Sequence, residues 1–175
     1  QYLVEPLALD GAYFGIAEFE LARVAIPLAK SKIDSKPSLH TKPKPKKASV
    51  FDKAVAWSGQ NPQDFQDAMI PKGMKKFSFF SDEGLKAVIP AANGVFTANS
   101  LARIYAMLAN AGEWNGQQVI RPDIFKNLSA VQYTQRDRIM PLPMHWRLGY
   151  HRVLTLGKKS KGFGHMGFNG SGAWC

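Results

Sequence analysis

The sequence has one cysteine, no long apolar run and few acidic residues, and each shortage excludes a class of structure. The single cysteine, Cys175, allows no disulfide within the chain and no metal site built from several cysteines. No uninterrupted apolar run approaches the roughly 18 residues of a membrane-spanning helix. The N-terminal residues lack the basic and then apolar order of a signal peptide, because acidic residues interrupt them. With 45% hydrophobic residues among 175, the chain is long enough for one packed core.

The positive charge of the chain is concentrated in one segment. The net charge is +10, and residues 30–47 contribute +6 of it through seven lysines and one aspartate. This segment contains three prolines and no aromatic side chain, so it lacks the stacking platform of a single-strand nucleic-acid binder. We therefore expect residues 30–47 to form a flexible, solvated loop and expect no nucleic-acid partner. Electrostatic contact with anionic polymers or membrane surfaces is the alternative.

A glycine-rich stretch, residues 162–174, contains the strongest candidate for a site. Its sequence is GFGHMGFNGSGAW, in which glycines alternate with His165, aromatic residues, Asn169 and Ser171. Glycine at this density lets a backbone pass close to a ligand or to another element. The composition fits a strand that offers bare N–H groups to a ligand, and it also fits a glycine-rich loop before an edge strand. His165 favours the first interpretation, because a polar imidazole lies on the same short run.

Residues 97–112 are predicted to form the best-defined helix. Thr97 is a suitable N-cap whose hydroxyl accepts the amide of Ser100, and Gly112 is the expected left-handed stop. Arg103 is expected to be solvated on the polar face. Apolar side chains follow one another at the spacing of the opposite face: Leu101, Ile104, Tyr105 and Leu108.

The other segments predict short elements. Residues 1–11 are expected to form a helix end and turn with Leu3, Val4, Leu7 and Leu9 in the core. Residues 49–69 are predicted to be helical in part, and Pro122 is expected to open a helix that runs through Leu128. Asn93-Gly94 predicts a tight turn capped by the asparagine, and Val119-Ile120 predicts a short strand.

The four histidines, at positions 40, 145, 151 and 165, show no metal-ligand spacing, so no metal or other cofactor is predicted. Alternation from Trp146 to Arg152 predicts a strand, and residues 157–162 predict the turn of a hairpin whose return strand carries His165. We expect His145 and His151 to be surface residues of the first strand. The sequence indicates neither a cellular compartment nor an oligomeric state.

Four motifs in the chain resemble those of the serine β-lactamase-related hydrolases. Glu5-Pro6-Leu7-Ala8-Leu9 is followed by Tyr13-Phe14-Gly15, then by Pro90-Ala91-Ala92-Asn93-Gly94 before the helix, and finally by His165-Met166-Gly167. Their order resembles the C-terminal half of the family, which includes class C β-lactamases, penicillin-binding-protein-like peptidases and, with the nearest resemblance, esterases. The resemblance covers roughly residues 1–28 and 88–174.

This resemblance implies an α+β fold in which helices pack on an antiparallel sheet, and a reaction on a small-molecule ester or amide, β-lactams included. In the family a Lys/His-Thr-Gly box forms the strand beside the nucleophile, and His165 to Gly167 would fill it. The implied catalytic groups are His165 and the Phe168 backbone N–H in the oxyanion hole. Met166, Gly167 and Asn169 are then implied to bind substrate. A histidine in place of the lysine favours esterase-like members.

The family's other two boxes are missing from the chain. No Ser-x-x-Lys occurs, and no Tyr-x-Asn or Tyr-x-Ser occurs either. Thr41-x-x-Lys44 and Thr155-x-x-Lys158 have the first spacing, but the former lies in the lysine and proline run and the latter contains Gly157. Both boxes normally precede the part that residues 1–28 resemble. We therefore expect residues 1–175 to be a fragment of one such domain, inactive by itself. The alternative is a non-catalytic scaffold or interaction protein of the same fold.

Residues 48–80 fall in a part that varies among such hydrolases and commonly overhangs their active site. Aromatic residues in this segment are therefore candidates for lining an acyl pocket, and ordinary core packing is the alternative. They are Trp57, Phe77, Phe79 and Phe80.

Overall fold

The computed structural model describes residues 2–25, 50–57, 59–69, 72–74, 77–140, 142–155, 160–167 and 171–175. The segment 30–47 lies outside these residues, so its flexibility stays a prediction. The described residues form an α+β arrangement, as predicted. The helices are α1 (Val50–Trp57), α2 (Pro62–Met69), α3 (Asp82–Lys86), α4 (Ala98–Ala109), α5 (Pro122–Ser129) and a 3₁₀ helix (Glu18–Arg23).

The described strands form three small antiparallel sheets. One sheet pairs β1 (Ala12–Phe14) with β2 (Gly94–Phe96), and a second pairs β3 (Glu113–Trp114) with β4 (Gln117–Gln118). The third sheet has the order β5 (His151–Arg152), β6 (Phe163–Met166), β7 (Gly172–Trp174). The predicted hairpin that returns through His165 is therefore present, as the pair of β5 and β6.

Helix α4 lies at the centre of the core. The Thr97 hydroxyl accepts the Ser100 N–H at 3.2 Å, so the predicted N-cap is confirmed. Helix α4 ends at Ala109, slightly before the predicted stop, and the left-handed conformation begins at Ala111 with a φ of 54° and continues at Gly112 with a φ of 91°. Met107 and Leu108 are buried and, with Leu7, form the middle of the hydrophobic core. Partly buried side chains surround this centre, among them Ile104, Tyr105, Trp114, Phe125, Leu128 and Tyr150.

The N-terminal turn packs on α4 in a way that the sequence did not predict. Leu7 is fully buried as expected, but Leu3 and Val4 are 38% and 42% exposed. The turn leaves backbone carbonyls that need donors, and Arg103 supplies them. Its guanidinium donates to the carbonyl oxygens of Leu7 at 3.1 Å and Ala8 at 2.8 Å. The expectation that Arg103 is merely solvated is therefore wrong.

Strands β1 and β2 join two of the motifs that carry the resemblance. Tyr13 of the Tyr-Phe-Gly motif lies opposite Val95, which follows the Pro-Ala-Ala-Asn-Gly turn. Within that turn Asn93 is buried, and its side-chain Oδ1 accepts the Ile89 N–H at 3.0 Å, so the predicted self-capping is confirmed. Its amide also donates to the carbonyl oxygens of Gly84 and Ala87. One side chain thus ties the turn to α3.

Two predicted strands are wrong in position or length. Val119 and Ile120 do not pair as a strand, because both of their N–H groups donate to the Gly112 carbonyl. The strand expected from Trp146 onward is reduced to His151–Arg152, since His145 and Gly149 have left-handed backbone conformations with φ of 49° and 79°.

Three of the four aromatic residues singled out in segment 48–80 are exposed, so the alternative of ordinary core packing is wrong for them. Trp57 is 91% exposed, and Phe77 and Phe80 are 42% and 49% exposed. The rings of Phe77 and Phe79 pack edge to face at 4.9 Å. The helices around them, α1 and α2, are present as predicted.

Candidate active site

The sheet formed by β5, β6 and β7 carries the candidate site. Gly164 in the middle of β6 lies opposite His151 on one side and Trp174 on the other. Cross-strand partners project from the same face of a sheet, and the two rings meet over the glycine with centroids 5.0 Å apart. A Cβ at position 164 would lie 2.7 Å from the Trp174 ring and would overlap the Ala173 carbonyl oxygen. Glycine is therefore required here for side-chain packing.

His151 is buried, with 1% of its surface exposed, so its predicted surface position is wrong. Its Nδ1 lies 2.8 Å from the Arg152 carbonyl oxygen, and its Nε2 lies 3.1 Å from the Met166 backbone nitrogen. A carbonyl oxygen only accepts and a backbone N–H only donates. The imidazole must therefore be neutral, with its proton on Nδ1 and a lone pair on Nε2.

Aromatic rings enclose His151. The rings of Trp146, His165 and Trp174 have centroids 5.6, 5.4 and 5.0 Å from it. The Trp146 indole donates to Asp137 Oδ2 at 2.7 Å, while Oδ1 accepts the N–H groups of residues 139 and 140. This carboxylate holds Trp146 in place through a loop that the sequence analysis did not single out.

Electrostatics also favour a neutral His151. Burial lowers the pKa of its imidazole, the hydrogen bond to the Arg152 carbonyl opposes this, and nearby His165 and Arg147 lower the pKa further. The burial of Asp137 raises its pKa, but the hydrogen bonds to its carboxylate outweigh burial and leave the pKa below its usual value. Burial raises the pKa of Tyr105 to about 12, so its phenol stays protonated at neutral pH and is no general base.

His165 and Met166 form the accessible part of this cluster. The His165 side chain is exposed, and Met166 is 37% exposed. Trp174 on the neighbouring strand is also 37% exposed. An exposed imidazole beside apolar surface can hydrogen-bond the polar centre of a bound molecule while the apolar groups contact the remainder.

The other predicted site residues are placed only in part. Gly167 is described, and a Cβ there would overlap the Ser171 hydroxyl, so its glycine is accounted for by the turn between β6 and β7. Phe168 and Asn169 lie outside the described residues, and their assigned roles stay predictions. The sequence analysis missed His151, Trp146 and Trp174. Gly164 was the signal that pointed to them, because a glycine inside a strand often marks the close approach of a neighbouring side chain.

The described part of the chain contains neither a metal-binding cluster nor a membrane-spanning helix. No group of three or more histidine, cysteine, aspartate or glutamate side chains there could hold a metal ion. No described helix has the length and apolar character needed to cross a membrane.

Comparisons with known proteins agree with the resemblance. No family model matches the chain. Over 91 residues, 51% of this chain, the sequence is 41% identical to the Esterase/beta-lactamase LipL of Mycobacterium tuberculosis, of which it covers 21%. The crystal structure of a novel penicillin-binding protein homolog from Caulobacter crescentus aligns with a TM-score of 0.66 and 27% identity over 98% of this chain. The chain is a partial relative of the serine β-lactamase and penicillin-binding-protein family.

The chain spans about a fifth of the length of LipL and 40% of the length of the penicillin-binding protein homolog. In the structure, the motifs that carry the resemblance lie on neighbouring elements. The Tyr-Phe-Gly segment and the Pro-Ala-Ala-Asn-Gly turn pair as β1 and β2, α4 follows, and His165 lies on β6. The Ser-x-x-Lys and Tyr-x-Asn boxes of β-lactamase-like enzymes do not occur within the 175 residues.

Proposed function

We propose that the natural gene product carrying this sequence is a serine hydrolase that cleaves small-molecule carboxylic esters or amides through an acyl-enzyme, and that the present chain forms one wall of its cleft. The observation that carries the proposal is an exposed imidazole, His165, on a glycine-flanked strand whose sequence resembles the family's third box. The esterase named among the relatives supports ester substrates in particular.

The reaction proceeds in two steps. A serine oxygen attacks the carbonyl carbon of the substrate, and the tetrahedral intermediate collapses as the C–O bond to the alcohol breaks. Water then attacks the resulting acyl-serine and releases the carboxylic acid, so the serine is restored. The proposed role of His165 is to hydrogen-bond the substrate or the proton network of the nucleophile. The proposed role of the Phe168 N–H is to donate to the developing oxyanion.

Substrate contacts are assigned by the same reasoning. Met166 and Trp174 provide apolar surface next to His165, which suits the acyl or alcohol part of a short ester. Asn169 is proposed to hydrogen-bond the substrate, and Gly167 to keep the turn narrow beside it. The nucleophilic serine and its lysine and tyrosine partners are proposed to come from sequence other than these 175 residues, which contain neither box.

A non-catalytic relative is the second candidate, and the absence of both boxes from the chain favours it equally. A fluorophosphonate probe, which labels activated serines covalently, separates the two. We expect the natural gene product to be labelled and to hydrolyse 4-nitrophenyl butyrate, and the 175-residue chain alone to do neither. An unlabelled, inactive gene product contradicts the hydrolase. Reproducible turnover by the 175-residue chain alone, if it survives a further purification step, contradicts the proposal that the nucleophile lies outside these residues.

A further inference from the structure

Strand β5 is shorter than the strand it supports. It pairs with β6 only at His151–Gly164 and Arg152–Phe163, so β6 has no backbone partner on this side at Met166. The Met166 N–H is nevertheless satisfied, because the His151 side chain reaches along the strand and accepts it. An imidazole thus replaces the carbonyl that a longer strand would have supplied.

We propose that His151 is a positioning residue for the His165-Met166-Gly167 segment: its neutral imidazole holds the Met166 N–H and lets it go when it becomes protonated. The connection to catalysis rests on the proposed function, whereas the hydrogen bond itself does not. Protonation places a hydrogen on Nε2 and removes its lone pair. The Nε2–H and the Met166 N–H are then both donors, so they cannot form a hydrogen bond with each other. The end of β6, which carries the candidate site, then loses its only described hydrogen bond to the β5 side beyond Gly164.

The surroundings make this protonation costly. The charged groups that act on the imidazole are His165 on β6 and Arg147 before β5, and both oppose a charge on His151. The titratable groups of the neighbouring elements are Tyr105 on α4 and Cys175 after β7, and burial raises the pKa of both, so they stay uncharged at neutral pH. The Asp137 carboxylate is hydrogen-bonded to the Trp146 indole and to two backbone amides rather than to the imidazole.

Nuclear magnetic resonance of the 175-residue chain tests the hydrogen bond without any activity. Nitrogen-15 shifts of the His151 ring should show a protonated Nδ1 and an unprotonated Nε2 at about pH 7.5. The protection factor of the Met166 amide should be high at that pH and lower at about pH 5, relative to the Phe163 amide. The Phe163 N–H is a suitable reference, because it donates to the Cys175 carbonyl at 2.8 Å and has no contact with the imidazole nitrogens. A protonated Nε2 at neutral pH overturns the proposal.

Two variants at position 151 separate hydrogen bonding from packing. In His151→Gln the side-chain oxygen can still accept the Met166 N–H but cannot titrate, so protection should be retained and should no longer depend on pH. In His151→Leu the acceptor is lost, so at about pH 7.5 the Met166 amide should exchange roughly two- to tenfold faster than in the wild type, and its protection should no longer fall toward pH 5. His145→Asn is the control, since asparagine tolerates the left-handed backbone at residue 145. Unchanged Met166 protection in a folded His151→Leu variant overturns the proposal.

Kinetics of the natural gene product then test the role in catalysis. His151→Leu should lower kcat by roughly tenfold with little change in KM, and His151→Gln should restore most of the loss while flattening the acidic limb of the pH profile. A leucine variant with normal kcat and lost Met166 protection overturns the positioning role. If the wild-type gene product hydrolyses no ester, the proposed function is wrong. The exchange measurements then still test whether His151 accepts the Met166 N–H.

Discussion

His151 and His165 have ring centroids 5.4 Å apart, yet their environments give them different chemistry. His151 is buried and has both ring nitrogens within hydrogen-bonding distance of the backbone, so it has no freedom to exchange protons with a substrate. His165 is exposed at the end of the same cluster. Only the exposed imidazole is therefore a candidate for contact with a substrate, and the buried one supports the strand that presents it.

The first prediction concerns His165. In the natural gene product, His165→Ala should lower kcat/KM by about tenfold to a few hundredfold. The lower bound is the effect of losing a neutral hydrogen bond, and the upper bound approaches the effect of losing an oxyanion donor. The melting temperature should stay near that of the wild type, because the side chain is exposed. Ester hydrolysis and thermal unfolding are measured together, with His145→Asn as control. A variant that loses stability but keeps its activity per folded molecule would end the catalytic assignment.

The second prediction concerns Asn93, whose buried side chain makes hydrogen bonds to Gly84, Ala87 and Ile89. Asn93→Ala leaves these backbone groups without their partner and should lower the free energy of unfolding by roughly 2–4 kcal/mol. The melting temperature should fall by about 5–12 °C for a chain of this length. Asn99→Ala on the exposed side of α4 is the matched control. Equal stability of both variants would show that the turn does not depend on Asn93.

Strand β6 shows how a single element is determined by its neighbours. Gly164 is present because His151 and Trp174 close over it, and Gly167 is present because Ser171 returns beneath it. Glycine-rich composition alone predicts close approach, and the neighbouring strands determine what approaches. At Gly164 and Gly167 the close approach is made by the protein itself.

A pair of glycine substitutions tests this explanation. Gly164→Ala should lower the free energy of unfolding by about 1–3 kcal/mol, because the new methyl group has no space beside Trp174. Gly172→Ala on β7 should cost clearly less, since a Cβ there has no neighbour nearer than 3.3 Å. Urea unfolding followed by tryptophan fluorescence measures both. Equal costs would mean that packing over Gly164 is looser than the structure shows.

The sheet should also make stability depend on pH. The pKa of His151 in the folded chain lies below its ordinary value of 6.5, because burial disfavours the charged imidazole. As the pH falls below about 6.5 the unfolded chain binds this proton first, so the free energy of unfolding decreases. His151→Gln should therefore show a smaller loss of melting temperature between about pH 7 and pH 5 than the wild type. Parallel curves for the two proteins would contradict the depressed pKa.

For the whole molecule, the distribution of charge predicts where a protease acts first. Lysines in residues 30–47 are expected to be accessible, whereas Arg103 on α4 is bound to the carbonyls of Leu7 and Ala8. Trypsin should cut first after Lys30, Lys32, Lys46 or Lys47. The other three lysines of the segment precede proline, where trypsin cleaves poorly. Mass spectrometry of early fragments shows the order. Early cleavage at Arg103 would contradict both the flexible segment and the packed helix.

Much of the architecture followed from local chemistry in the sequence. The cap at Thr97, the stop at Gly112 and the apolar face between them are local signals, and α4 formed as they predict. Pro122 opened α5 for the same reason, since its ring fits the first helical turn. The order of the motifs indicated the family, which the comparisons with LipL and the penicillin-binding protein homolog support.

The tertiary structure decided which polar residues have buried partners. No periodic pattern separates His151 from His145 or assigns Arg103 to the carbonyls of an N-terminal turn almost a hundred residues earlier in the chain. Such contacts join segments that are distant in sequence, and they depend on where strands end rather than on local propensity. Because β5 begins only at His151, no strand residue lies opposite Met166, and the His151 side chain has to satisfy the Met166 amide. The sequence by itself thus determined helices α4 and α5 and the resemblance to the family, and only the packing of the elements determined which imidazole is buried and which one faces solvent.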